Sequence, residues 1–388
     1  MTTLDDRLLH DVRTRLGGPG RTTPPDAADV AAALRSTGRV LGSDALADLT
    51  RAARAELVGA GPLQPLLETP GVTDVLVNGP EEVWLDRGHG LERADLALAS
   101  PGAVRELAVR MAAVAGQRLD DASPVVDARL PDGTRLHAAV APVAPEGAVI
   151  ALRVLRQAAH DLRALAERGA LPDAWVPVLH GLVRGRANLL VTGGTGTGKT
   201  TLLAALLGLV PHDERLLTVE EARELAPVHP HVVALAARRP NVEGVGEITL
   251  ADLVRGALRM RPDRIVLGEC RGAEVRELLL ALNTGHDGGM ATVHANAAEH
   301  VPARLEALAA LAGMSRAAVA AQATAALDVV LHLQRRRGVR HLAQIATVHR
   351  DGHGDLQVVP VATWQGPGDV AEPVPGHGWD ALRRRWVA

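Results

Sequence analysis

The sequence predicts an α/β protein in which a smaller α+β domain precedes a larger domain built on a parallel sheet. Three observations carry that prediction. From about residue 187 onward, short apolar runs alternate with helical patterns, as strands buried on both faces require. At the head of that half, Asn188–Thr201 reads as a buried strand, a glycine-rich loop and the start of a helix. Between residues 56 and 157, strand and turn signals instead surround one long helical pattern.

The elements follow in order. Residues 1–55 are expected to form a helical arm and linker, with breakers at Gly17–Gly20 and Pro24–Pro25 and an Ala-rich helical pattern from Pro25 to Leu57 interrupted at Gly38 and Gly42. Whether this arm packs on a neighbour or frays is left open by its composition. In the 56–157 domain, Val72–Gly79 and Val83–Asp86 read as strands, the second closed by Arg87–Gly90. Ser100 and Pro101 cap a helix whose Val104, Leu107, Ala108, Met111 and Val114 keep helical spacing. Val125–His137 reads as two strands around a Pro131–Gly133 turn, and Ala148–Leu155 as a further strand. Residues 158–186 are expected as a helical connector with breaks at Gly169 and Pro172. In the 187–350 domain come a strand over Leu216–Leu225, a capped amphipathic helix over Thr249–Met260, and an apolar strand at Ile265–Leu267 that leads to Glu269. Met290–His294 is a further strand, followed by two helices and strands near Val329–Leu333 and Leu342–Val348. Residues 351–388 read as a tail, Gly- and Pro-rich from Gly366, and no internal repeat is present.

Composition excludes several functions. The chain of 388 residues is long enough for two domains, but its only aromatics are five Trp, so the cores must be built from Leu, Val and Ala. A net charge of −3 gives no electrostatic footprint for nucleic acid, and without Phe or Tyr there is no base-stacking platform. The single Cys270 excludes a disulfide framework and a Cys-rich zinc site, which fits a reducing cytoplasm. The acidic start, Met1–Asp6, lacks the apolar segment of a signal peptide, and no uncharged run is long enough to span a bilayer. Membrane association is therefore expected to be peripheral, through a partner.

The chemistry is expected at the glycine-rich loop. Gly193, Gly194, Gly196 and Gly198 let the backbone adopt positive φ and bring N–H groups, including those of Thr195 and Thr197, close to a phosphate chain. The helix beginning near Thr200 and Thr201 adds its N-terminal dipole. Lys199 is placed to reach the β- and γ-phosphates of ATP, and the Thr200 hydroxyl to bind Mg²⁺. Lys199 is also the only lysine among 42 basic Lys and Arg residues. In a chain that otherwise uses arginine throughout, that exception marks a site needing a compact ammonium rather than a broad guanidinium. Glu269, at the end of an apolar strand, is the candidate second metal-holding group. Glu220 and Glu221 end the other candidate strand; adjacent residues point to opposite sides, so one of the two faces the nucleotide. Glu224 reads as a helix-face residue. His286 and His294 flank a glycine-rich strand edge without the spacing of a zinc site. Arg259, Arg261, Arg271 and Arg276 crowd the same half, and charge alone singles out none of them.

Four blocks in order resemble the secretion-type ATPases of type II and type IV secretion and of type IV pili. They are Gly193–Thr201, Leu217–Leu225, Arg261–Gly272 and Asn283–Asn296. The resemblance is strongest to the ATPase of the tight-adherence (Tad/Flp) pilus, of the conjugal-transfer-associated type of actinobacteria. Gly61–Leu63, Thr73–Gly79 and Asp127–Gly133 resemble that family's N-terminal domain. The resemblance implies a RecA-like P-loop motor domain preceded by a smaller α+β N-terminal domain. It implies a homo-hexameric ring that uses ATP and Mg²⁺ in the cytoplasm, against an inner-membrane platform protein at the inner face of the membrane. By matching position it makes Glu269 the Walker B carboxylate, Glu220 the group that positions water, and His286 and His294 the histidine-box residues. Arg135 and Arg153 match arginines that approach the nucleotide, and such a group can contribute ~10³–10⁵ in rate. Two departures stand out: Glu220–Glu221 replaces the usual Glu-Asp, and Val245, in Asn241–Gly246, stands where a basic residue is common. Alternatives to a pilus or secretion motor are a conjugation-type secretion ATPase, a nucleotide-gated scaffold and a DNA translocase.

Overall fold

The computed structural model describes residues 5–16, 25–38, 42–88, 90–154, 161–238, 245–336, 338–368 and 372–387. The chain divides into two compact units, Met1–Arg156 and Gln157–Ala388.

The first unit opens with three helices, α1 (Asp6–Leu16), α2 (Ala27–Arg35) and α3 (Ser43–Val58). Asp26 and Asp29 form a reciprocal capping box that starts α2. Leu8, Val12, Val30, Leu34, Leu49 and Ala53 bury one another in a small core of their own. After α4 (Gln64–Glu68) come β1 (Asp74–Gly79), β2 (Glu82–Asp86), β3 (Leu91–Arg93), α5 (Pro101–Val114), β4 (Val125–Arg129), β5 (Arg135–Val140) and β6 (Ala148–Arg153). They form an antiparallel sheet of order β3-β2-β1-β6-β5-β4. Ser100 caps α5 and Pro101 occupies its first turn, as their positions predict. The helix then lays Val104, Leu107, Ala108 and Met111 into the core shared with one face of the sheet. Arg110 of α5 ties this layer to the arm by donating to the carbonyl of Glu56 and pairing with its carboxylate.

The second unit contains α6 (Leu162–Glu167), α7 (Val176–Arg184), β7 (Leu189–Gly193), α8 (Lys199–Leu207), β8 (Leu216–Glu220), β9 (Val232–Ala236), α9 (Leu250–Ala257), β10 (Arg264–Cys270), α10 (Val275–Leu282), β11 (Met290–Val293), α11 (Val301–Leu311), α12 (Arg316–Ala326), β12 (Val329–Arg336), β13 (Val339–Arg350), β14 (Leu356–Thr363), β15 (Val374–Pro375) and α13 (Trp379–Trp386). Its sheet runs β15-β14-β13-β12-β7-β11-β10-β8-β9. The six strands from β12 to β9 are parallel, and β13 and β14 add to the β12 edge as antiparallel strands. Alternation sends Leu189 and Val191 of β7 to one core and Leu190 to the other, so both faces are covered, as a parallel sheet demands.

Three sequence expectations change here. The stretches set apart as connector (158–186) and tail (351–388) both pack into this unit. Leu162, Trp175, Leu179 and Leu182 share a core with β7 and α8, β14 extends the sheet, and Leu382 of α13 is buried in the same core. Gly185, the C-cap of α7, admits the Trp386 ring, because a methyl group there would lie 2.6 Å from Trp386 Cε3. Glu224 is not on a helix; it lies in the irregular segment after β8. Strand β9 also escaped the sequence reading. Its residues are only partly buried at the sheet edge, so their apolar signal is short and weak.

Candidate functional site

The topology places the expected site at one end of the larger sheet. Strand β11 lies between the loop strand β7 and the carboxylate strand β10, all parallel, with Val293 opposite both Thr192 and Cys270. Their C-terminal ends therefore bring Gly193, His294 and Glu269 to the same edge, beside the switch point where β11 and β12 flank β7. Crevices at such points are the usual ligand sites of open parallel sheets.

The glycine-rich loop has the backbone its chemistry needs. Gly193, Gly196 and Gly198 hold φ of 150°, 69° and 96°, whereas Gly194 adopts no positive φ. A methyl group at position 193 would lie 2.5 Å from the Leu333 carbonyl oxygen and 2.6 Å from Thr197 Oγ1, so only glycine fits. Thr197 in turn donates to the Gly194 carbonyl at 3.0 Å. Thr195 is exposed, and Thr200 and Thr201 are half-buried in the first turn of α8. Lys199 is buried, and its Nζ donates to the carbonyls of Gly193 (3.0 Å) and Gly194 (2.8 Å).

From Lys199 a polar chain crosses the strand ends. Lys199 Nζ lies 3.4 Å from His294 Nδ1, and His294 Nε2 lies 2.6 Å from Glu269 Oε1. Arg271 donates to Glu269 Oε2 at 2.6 Å and to Glu221 Oε2 at 3.2 Å. A neutral His294 leaves Nδ1 able to accept from Lys199. Burial, with the nearby Lys199 charge, holds its pKa below the ordinary histidine value. Burial likewise lowers the pKa of Lys199. Burial pushes the Glu269 carboxyl up, but Arg271, His294 and Lys199 together outweigh it, and the net shift is downward. Glu269 is therefore an anion whose Oε2 accepts from Arg271, while its Oε1 meets His294 Nε2 as a close contact without an aligned hydrogen bond.

The paired glutamates divide as successive positions should. Glu220 is buried, and its Oε1 accepts the N–H groups of Glu224 and Leu225, each at 2.9 Å. Its stem fills the space over Gly268, where a methyl group would meet Glu220 Cγ at 2.6 Å. Glu221 is turned outward to Arg271. His286 is not brought to the chain: it precedes the N-terminal end of β11, the end away from the loop, and its Nδ1 lies 3.2 Å from the Ala281 carbonyl. At that far end Asn188 Oδ1 accepts from Gly288 and Gly289, and Asp328 binds the Asn188 N–H. Asp328 is itself held by Arg385 of α13 at 2.7 Å. Val245 is exposed, while residues 241–244 of the same motif lie outside the described residues.

Arg135 and Arg153 belong to the first unit, where they stand directly opposite each other on β5 and β6. Arg129 on β4 extends the row, and Asp74 on β1 ends it, 2.9 Å from Arg153 Nε.

Two residues of interest escaped the sequence. Arg271 was one arginine in a crowd; it directly follows β10, two residues beyond Glu269, and its contact with that carboxylate appears only in the structure. His332 of β12 is fully buried behind the loop strand, 2.8 Å from Thr192 Oγ1. Only its pairing register with β7 reveals that position.

A hydroxyl on Thr200 and a carboxylate on Glu269 form a hard-oxygen donor set of the kind Mg²⁺ accepts alongside phosphate and water. Among the described residues, no cluster of three or more His, Cys, Asp or Glu side chains is placed to hold a metal by itself.

A family model described as type II/IV secretion system protein matches residues 56–353. A Mycobacterium tuberculosis protein with the provisional name of conjugal transfer protein is 55% identical over 326 residues, covering 82% of this chain and 92% of its own. A type IV secretion system PtlH homolog of Bordetella bronchiseptica is 30% identical over 320 residues, covering 75% and 94%. Among solved structures, the pilus retraction motor PilT with bound ADP aligns with a TM-score of 0.52 at 19% identity, over 83% of this chain and 86% of its own. That likeness is one of fold.

Proposed function

The chain belongs to the type II/IV secretion system protein family, and from that premise we propose that it is an ATP-hydrolysing motor working as a homo-hexamer. Its work is to power assembly of a Tad/Flp-type pilus, or secretion, through a platform protein at the cytoplasmic face of the inner membrane. Among the described residues no helix is long and apolar enough to cross a membrane. The observation that carries the reading is the polar chain Lys199–His294–Glu269–Arg271 at the ends of adjacent parallel strands beside a phosphate loop.

In this reading the loop N–H groups and the start of α8 bind the β-phosphate, and the Lys199 ammonium turns from the loop carbonyls to phosphate oxygens. Thr200 and Glu269 are the residues that would hold Mg²⁺, which would offset the phosphate charge. Glu269 and the buried Glu220 orient the attacking water. Neutral His294 relays the state of the phosphate site between Lys199 and Glu269. Arg135 and Arg153 are the arginines proposed to supply positive charge to the transferring phosphoryl group.

Steady-state ATPase activity measured against protein concentration, with Lys199→Ala and Glu269→Gln as controls, tests the proposal. Activity per subunit is expected to rise with concentration and to fall at least ~100-fold in both variants. Turnover that survives Lys199→Ala would refute it.

A further inference from the structure

We propose that Arg340 is a nucleotide-binding residue, contacting the α- and β-phosphates from the side of the loop opposite Glu269. The inference rests on the nucleotide reading above and adds a residue that the motif blocks do not contain.

Strand β12 pairs with β7 through Leu333 opposite Gly193, so the β12–β13 hairpin rises from the sheet at the phosphate loop. Its strands continue as Gln334–Arg336 and return from Val339. At this level the hairpin touches the loop. The Leu333 carbonyl closes over Gly193, and a methyl group at Gly198 would lie 4.0 Å from both Leu333 Cδ2 and Arg340 Cδ. Arg340 thus runs its aliphatic stem alongside Gly198, the residue that caps α8.

Charge points the same way. Arg340 stands directly opposite Arg335 across the hairpin, so two guanidinium-bearing residues share one register position. Arg336 follows on the same strand and donates to the Gln365 carbonyl at 3.3 Å. Among the described residues, no carboxylate forms an ion pair with the exposed Arg340. On the opposite side of the loop, by contrast, Arg271 is already matched by Glu269 and Glu221. The hairpin side therefore offers cationic charge next to N–H groups arranged for phosphate, and a guanidinium fork suits two phosphate oxygens.

A residue on the α- and β-phosphates binds ATP and ADP alike, so its contribution appears in affinity and not in turnover. The test is calorimetric titration of the full chain with ADP and with ATP in Mg²⁺, together with saturating ATPase rates. Arg340→Ala is expected to weaken both nucleotides by the same factor, about tenfold or more, while kcat stays within twofold. Arg340→Lys, which retains the charge but not the fork, is expected to recover part of the loss. Arg316→Ala on α12 controls for removal of a surface charge. Equal affinities in wild type and Arg340→Ala overturn the inference and leave the nucleotide reading intact. Loss confined to ATP and kcat, with ADP unaffected, also overturns it, since that behaviour belongs to a γ-phosphate contact. No ADP binding by the wild-type chain would instead sink the nucleotide reading itself.

Discussion

Two adjacent glycines in the phosphate loop are expected to respond in opposite ways to the same substitution. At Gly193 the backbone holds φ of 150°, and a methyl group would sit 2.5 Å from a backbone carbonyl and 2.6 Å from Thr197 Oγ1. The carbonyl belongs to a paired sheet strand and cannot rotate away as a flexible side chain could. Backbone strain of about 1–3 kcal/mol and overpacking of about 1–3 kcal/mol together give a cost of about 2–6 kcal/mol for Gly193→Ala. At Gly194 φ is ordinary and the nearest atom to an added methyl is Thr197 Cγ2 at 3.8 Å, normal van der Waals contact. Gly194→Ala is therefore expected to change stability by less than about 0.5 kcal/mol. Urea unfolding of both variants beside wild type, followed by circular dichroism, measures the difference. Similar midpoints for the two variants, or a larger loss at 194, would refute the steric reasoning.

Two further predictions concern the frame around the site. Arg264 is fully buried and gives two hydrogen bonds to Glu214, of 2.7 and 3.1 Å, which also pairs with Arg186. Glu214→Ala leaves that guanidinium with only the Val183 carbonyl, and should cost about 3–5 kcal/mol in denaturant unfolding; a loss below ~1 kcal/mol would contradict the assignment. Burial depresses the pKa of His332 to about 4, below the ordinary value of 6.5. Its contribution is thus complete above pH 6.5 and lost as pH falls toward 4, by up to about 3 kcal/mol. Stability measured from pH 7.5 to 4 should show that slope in wild type, and a flatter one in His332→Gln.

What the sequence made legible was the chemistry written in local order. The loop from Gly193 to Thr201, the apolar run before Glu269 and the cap at Ser100–Pro101 each depend on neighbours in sequence, and each element forms where its residues predict. Residues that depend on non-local register were hidden. Arg340 meets the loop only because β12 pairs with β7, and Trp386 fits α7 only because Gly185 lacks a side chain. His286 shows the converse. It stands eight residues from His294 in one motif, yet the intervening strand carries the two to opposite ends of the sheet. Alternation correctly separated Glu220 from Glu221 without saying which would turn inward. That was decided by the space over Gly268 and by two N–H groups in the segment that follows.

The nest of carbonyls around Lys199 has a practical consequence for labelling. This side chain is the only ε-amine in the sequence, so an acylating reagent has one lysine to modify besides the α-amine. Its lowered pKa raises the reactive free-base fraction, while the Gly193 and Gly194 carbonyls and its burial restrict approach. A single covalent adduct, located by mass on one peptide, therefore reports on the innermost group of the phosphate site. In a chain with arginine at every other basic position, amine chemistry becomes an address.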